Sequence, residues 1–154
     1  MVGKFLHGSG ILSAVDQESH PVDVRASFRH SAGRLGSTFL GALRNGQLLG
    51  WKSGDPARVA VPPRETGAPG EWVSLGPCAN LESYVPSDWL PASADGFCLA
   101  LVTVDGADTA LLSRLRPAPI MGALAPGTKL ALRFADQRTG AMTDFWFEPQ
   151  EVKL

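Results

Sequence analysis

Cysteine is scarce in this chain: Cys78 and Cys98 stand twenty positions apart, with no CxxC pair anywhere in the 154 residues. That spacing excludes a disulfide framework and a four-thiolate metal site, and both residues read as reduced core thiols. The three histidines, His7, His20 and His30, show no HxH or HExxH spacing that would bring two to one metal. No run of eighteen apolar residues exists, so nothing in the sequence is expected to span a membrane. Met1 to Leu12 also lacks the unbroken apolar stretch of a signal peptide's central region, and the expectation is a soluble, cytoplasmic protein. Charge of either sign is sparse: the formal net charge is −1, and the 14 Lys and Arg residues are scattered, which leaves no electrostatic footprint for a phosphate backbone. Nucleic acid is therefore not an expected partner.

What is plentiful is turn chemistry. Seventeen glycines and twelve prolines in a single-domain length predict many short elements joined by tight turns, as in all-β sandwiches and barrels. Val22, Val24, Ala26 and Phe28 alternate with Asp23, Arg25, Ser27 and Arg29, the period of a half-buried strand. From Arg34 to Asn45 the period changes. Leu35, Phe39, Leu40 and Leu43 then fall on one helical face, Ser31 is a possible cap and Asn45-Gly46 a stop. This amphipathic helix either covers its own barrel or docks on a partner. Gln47 to Trp51 reads as a short strand, and Ser53 to Gly70 as a Gly- and Pro-rich surface excursion in which Pro62-Pro63 permits at most an edge. Strands follow at Trp72–Leu75, Leu81–Val85, Phe97–Val104, Asp108–Leu115, Thr128–Phe134 and Thr143–Phe147. The run FCLALVTV is apolar on both faces, which predicts a central strand covered on each side, and Asp105-Gly106 is its hairpin turn. The fold class is mainly β: a five-stranded Greek-key barrel of OB type with a helix outside it.

No catalytic constellation stands out. Gly8-Ser9-Gly10 lacks the spacing of a nucleophile elbow and reads as a loop. The DGAD turn at Asp105 and Asp108 lacks the remaining ligands of a calcium loop. Cys78 follows Gly76-Pro77 and could be an accessible nucleophile, but no histidine is close to it in sequence. Four tryptophans are informative in a small domain, since they are enriched at interfaces. Trp72 and Trp146 fall within strands and read as core, whereas Trp51 and Trp89 read as interface candidates.

The segments FLGALRNGQLLGWKS, RVAVPPRETG, FCLALVTVDGADTALL, PGTKLALRF and FWFEP, in this order between Gly33 and Pro149, resemble the OB-fold family called domain of unknown function thirty-five. The resemblance implies three segments: an N-terminal strand and helix extension over 1–46, a ribbon-like segment over 47–70, and an OB barrel over 71–154. Relatives in that family carry a rubredoxin-like zinc ribbon. Here Ser53 and Pro56 occupy the positions of the first cysteine pair, and no cysteine lies between Thr66 and Gly70 for the second. A degenerate, metal-free ribbon is expected, with no zinc and no covalently bound cofactor.

The same resemblance implies a non-catalytic accessory subunit, hetero-oligomeric with a thiolase-like or aldolase enzyme and sharing its acyl-CoA ligand, in steroid side-chain or fatty-acyl degradation. Lys52, Arg58 and Arg64 are then candidates to meet the phosphates of CoA. Leu35, Phe39, Leu43, Trp51 and Trp89 are candidates for the partner interface, with no membrane and no nucleic acid involved. A single-stranded nucleic-acid binder is the alternative for an OB barrel, though its strands would need aromatics interleaved with cations. A small enzyme using Cys78, Asp105 or Asp108 is a third reading.

Overall fold

The computed structural model describes residues 31–86, 96–120 and 122–150, which lie within one compact unit, Ser31–Leu154. The strand expected over residues 22–29, the three histidines, Gly8-Ser9-Gly10 and Trp89 lie outside the described residues.

Leu35, Phe39, Ala42 and Leu43 recur every three or four residues, so helix α1 (Gly33–Arg44) buries one stripe. Ser31 serves its start, its Oγ accepting a hydrogen bond from the Gly33 N–H at 3.3 Å. Gly46, at φ +73°, ends it, because the return bonds from Gly46 N–H to the Leu43 carbonyl and from Gln47 N–H to the Ala42 carbonyl need a left-handed residue there. Gly36 and Gly41 weaken the isolated helix by roughly 1 kcal/mol each relative to alanine, so burial of the stripe holds it.

Strands β1 (Leu49–Ser53), β2 (Arg58–Ala60) and β3 (Gly70–Ser74) form an antiparallel sheet in the order β2-β1-β3. Trp51 and Trp72 are register partners and pack edge to face with centroids 5.0 Å apart. Gly70 is required beside them, since a Cβ there would sit 2.5 Å from the Lys52 carbonyl and 2.7 Å from the Trp51 ring.

Five further strands, β4 (Cys78–Pro86), β5 (Cys98–Val104), β6 (Ala110–Leu115), β7 (Lys129–Phe134) and β8 (Phe145–Pro149), close into a barrel in the order β4-β5-β6-β8-β7. The β4–β7 pairing completes the ring, and β6 and β8 run parallel while the other pairs are antiparallel. This is the OB-type barrel expected from the sequence. A bulge between Leu81 and Ser83 bends β4, as closing a small barrel requires. Alternate residues point inward, and Leu81, Val102, Val104, Leu111, Leu115, Leu130, Phe145 and Phe147 form the core. Phe39 and Leu43 of the helix join it, as do Leu48, Val61 and Leu75 around the small sheet. None of the described helices is long and apolar enough to cross a membrane.

Two expectations are corrected. β3 pairs with β1 and not with the barrel, so the barrel begins at Cys78, not residue 71. β5 is not covered on both faces: Cys98, Ala100, Val102 and Val104 are buried, but Leu101 on the outer face is 38% exposed.

Candidate functional site

The helix stripe does not form an open docking face. Leu35, Phe39, Leu43 and Trp51 are all buried within the chain's own fold, Phe39 to 2% exposure. Their apolar surface closes the chain's core, which is the physical reason a face of this kind need not seek a partner. Of the residues expected at an interface, Trp89 lies outside the described residues.

The cations expected to meet CoA do not form one cradle. Lys52 is paired with Glu71 at 3.4 Å. Lys52 is the register partner of Val59, and Ser53 of Arg58, so Lys52 and Arg58 project from opposite faces of the small sheet. Arg58 and Arg64 are exposed.

The residues weighed for catalysis are occupied structurally. Asp105 pairs with Lys129 at 3.8 Å, and Asp108 accepts a hydrogen bond from the Val59 N–H at 2.7 Å. Cys98 is buried. Cys78 is half-buried, and its sulfur accepts a hydrogen bond from the Gln150 side-chain amide at 3.1 Å. Cys78 lines a groove of about 660 Å³ with Pro77, Pro117, Leu132, Arg133 and Glu148. In that groove Glu148 accepts from the Trp146 indole at 2.9 Å and from Arg133 at 3.0 Å. Those bonds, the indole's foremost, hold the Glu148 carboxyl below its ordinary pKa, so it stays an anion tied to its neighbours. No group of three or more His, Cys, Asp or Glu side chains able to hold a metal occurs among the described residues.

The ribbon positions fail the test for zinc on donor chemistry. Ser53 Oγ and Thr66 Oγ1 lie 3.3 Å apart, hydrogen-bonded to each other, and Pro56 and Pro69 offer no side-chain donor at all.

Sequence reading missed the outer wall of β4, β5 and β6. Register places Ser83, Leu101 and Leu112 side by side, and Val85, Leu99 and Arg114 in the next row. Leu112 is 61% exposed and Val85 50%, beside the open Leu101. Their adjacency is what makes them a patch, since single exposed leucines are ordinary on a protein surface. The signal was present in FCLALVTV, whose two leucines, Leu99 and Leu101, alternate with the buried Cys98, Ala100 and Val102 and so fall together on the outer face.

No family model matches the sequence, and no curated protein matches it. Solved structures do. One, described as "Ltp2-ChsH2(DUF35) aldolase", superposes with a TM-score of 0.59 at 16% identity, covering 81% of this chain and 98% of that one. A DUF35-family protein of unknown function from Sulfolobus solfataricus gives a TM-score of 0.54 at 20% identity, covering 77% of this chain and 85% of that one. This chain has the DUF35 fold. The resemblance seen in the sequence thus holds at the level of architecture, and nearly the whole of the first DUF35 chain is matched. Within this DUF35 fold, the exposed leucines of β5 and β6 are one feature that core packing does not account for, beside the more exposed Ile120.

Proposed function

We propose that this chain is a non-catalytic member of the DUF35 family that docks on a thiolase-like or aldolase enzyme and supports its handling of acyl-CoA thioesters. The observation that carries the reading is the apolar row Leu101–Leu112 with Val85 beside it, on the outside of a barrel whose core is already complete without them. Leucines held open on a rigid wall are the kind of anchor that protein partners bury. The solved structure described as an Ltp2-ChsH2(DUF35) aldolase supports the choice of partner class.

The nucleic-acid alternative is not favoured. OB barrels read oligonucleotides on the face of their second and third strands. The corresponding strands here, β5 and β6, present leucines where stacking aromatics interleaved with cations would be needed.

The test is co-expression of the tagged chain with thiolase-like proteins encoded in the same genome, followed by size-exclusion chromatography and CoA-thioester turnover. Co-elution, with turnover that depends on this chain, supports the proposal. Leu112→Glu combined with Leu101→Lys is expected to weaken the complex by about tenfold or more, as loss of interface anchors does, while the melting temperature stays that of the wild type. Separate elution with turnover unchanged would sink the proposal.

A further inference from the structure

Two four-residue turns stand at one end of the small sheet: Ser53-Gly54-Asp55-Pro56 between β1 and β2, and Thr66-Gly67-Ala68-Pro69 leading into β3. The two have the same pattern, a hydroxyl residue first, a left-handed glycine second and a proline fourth. The glycines have φ of +94° and +75°. Ser53 pairs with both Arg58 and Gly70, which brings the two turns together, and the first residues of the turns touch through Ser53 Oγ and Thr66 Oγ1. The family resemblance implies the first thiolate pair at Ser53 and Pro56 and the second between Thr66 and Gly70, where these turns lie. One exposed hydroxyl contact at 3.3 Å is far weaker than four metal–sulfur bonds, so it cannot by itself hold the sheet.

What does hold it lies on the other edge of β2. That strand pairs only with β1, so its far edge would present unpaired backbone groups. The turn between β5 and β6 supplies the partners. Asp108 takes the Val59 N–H on its carboxylate at 2.7 Å and returns its own N–H to the Val59 carbonyl at 2.8 Å. Thr109 Oγ1 accepts from the Val61 N–H at 2.9 Å and donates to the Val61 carbonyl at 3.0 Å. Between these four bonds and the turn Val61 is fully buried, in the same core as the barrel.

We propose that the ribbon-like sheet is metal-independent and is held by the barrel itself, with Asp108 and Thr109 as the clasp on β2. The proposal stands apart from the choice of partner enzyme, because it concerns only how this chain keeps its shape. It also gives the DGAD turn a structural role, in which Asp108 docks the ribbon and is neither a ligand nor a base.

Hydrogen exchange read by mass spectrometry tests it. In the variant Asp108→Ala/Thr109→Val, amides of residues 58–61 should exchange at least about tenfold faster, the scale set by losing a charge-assisted bond, while β7 and β8 keep their protection. Wild-type protein treated with EDTA should show the same exchange pattern and melting temperature as untreated protein. A gain-of-metal variant provides the converse arm: Ser53→Cys, Pro56→Cys, Thr66→Cys and Pro69→Cys together should take up one Zn²⁺ or Co²⁺, the latter with tetrahedral thiolate absorption. Placed in the Asp108→Ala/Thr109→Val background and loaded with zinc, the four cysteines should restore slow exchange at residues 58–61. The proposal is overturned if wild-type protein carries one zinc per chain whose removal lowers its melting temperature, or if the Asp108→Ala/Thr109→Val variant exchanges like the wild type.

Discussion

Asp144 is a buried carboxylate whose role is invisible in the sequence alone. It accepts hydrogen bonds from the backbone N–H groups of Thr139, Gly140 and Ala141, at 2.7, 2.6 and 3.0 Å, and from the Thr139 hydroxyl at 3.3 Å. Burial by itself would raise its pKa, but the bonds to Ala141, Gly140 and Thr139 outweigh that and leave it below the ordinary aspartate value. A carboxyl with a depressed folded-state pKa contributes stability above its unfolded-state pKa and loses that contribution as pH falls through the folded value. Asp144→Asn should therefore lower the urea midpoint at pH 7, and the gap to wild type should shrink steadily as the pH is taken below the ordinary aspartate value. A gap that does not change with pH would mean that the ionised form has no special role. This anchor matters beyond its own loop, because Arg138 in the same loop donates to the Arg44 carbonyl at the end of α1, and Arg44 donates to the Thr139 carbonyl.

At the scale of elements, helix α1 takes the first of the two roles the sequence left open to it, covering its own barrel, while the outer face of β5 and β6 stays partly exposed. Phe39 on the helix is core, so Phe39→Ala should cost about 3–5 kcal/mol of unfolding free energy, as for other buried aromatics, measured by urea titration. Were Phe39 an interface residue, stability would be unchanged and only partner binding would fall. The helix was legible in the sequence, in both its span and its apolar face, because a 3.6-residue period with a glycine stop is a local signal. What that face packs against is not a local property. The same limit explains β3: the alternation around Trp72 says which side of a strand is buried, not which neighbour it pairs with. It also explains the cations. Lys52 and Arg58 are near each other in sequence and both lie by the same turn, but register sends them to opposite faces. The barrel strands, by contrast, could be placed to within a few residues, since hairpin turns such as Asp105-Gly106 and prolines punctuate them. The exposure of Leu101 and Leu112 escapes sequence reading because continuous apolarity reads as burial on both faces.

Among the described residues, one core links parts that the sequence suggested were separate segments. Val61, Leu48 and Leu75 from around the small sheet pack with Phe145, Leu111 and Val102 of the barrel, and Phe39 and Leu43 of the helix pack with the same set. Residues 31–150 should accordingly unfold in one transition, with equal calorimetric and van't Hoff enthalpies. A separate low-temperature transition for the small sheet would contradict a shared core. The fold also limits how recognition can occur. Strand β5 is paired along its length with β4 on one side and β6 on the other, so its backbone groups are already taken and another chain cannot add a strand beside it. On the proposed docking reading, recognition at Leu101 rests on side chains alone, so its specificity could be retuned one leucine at a time without disturbing the backbone hydrogen bonds that flank β5.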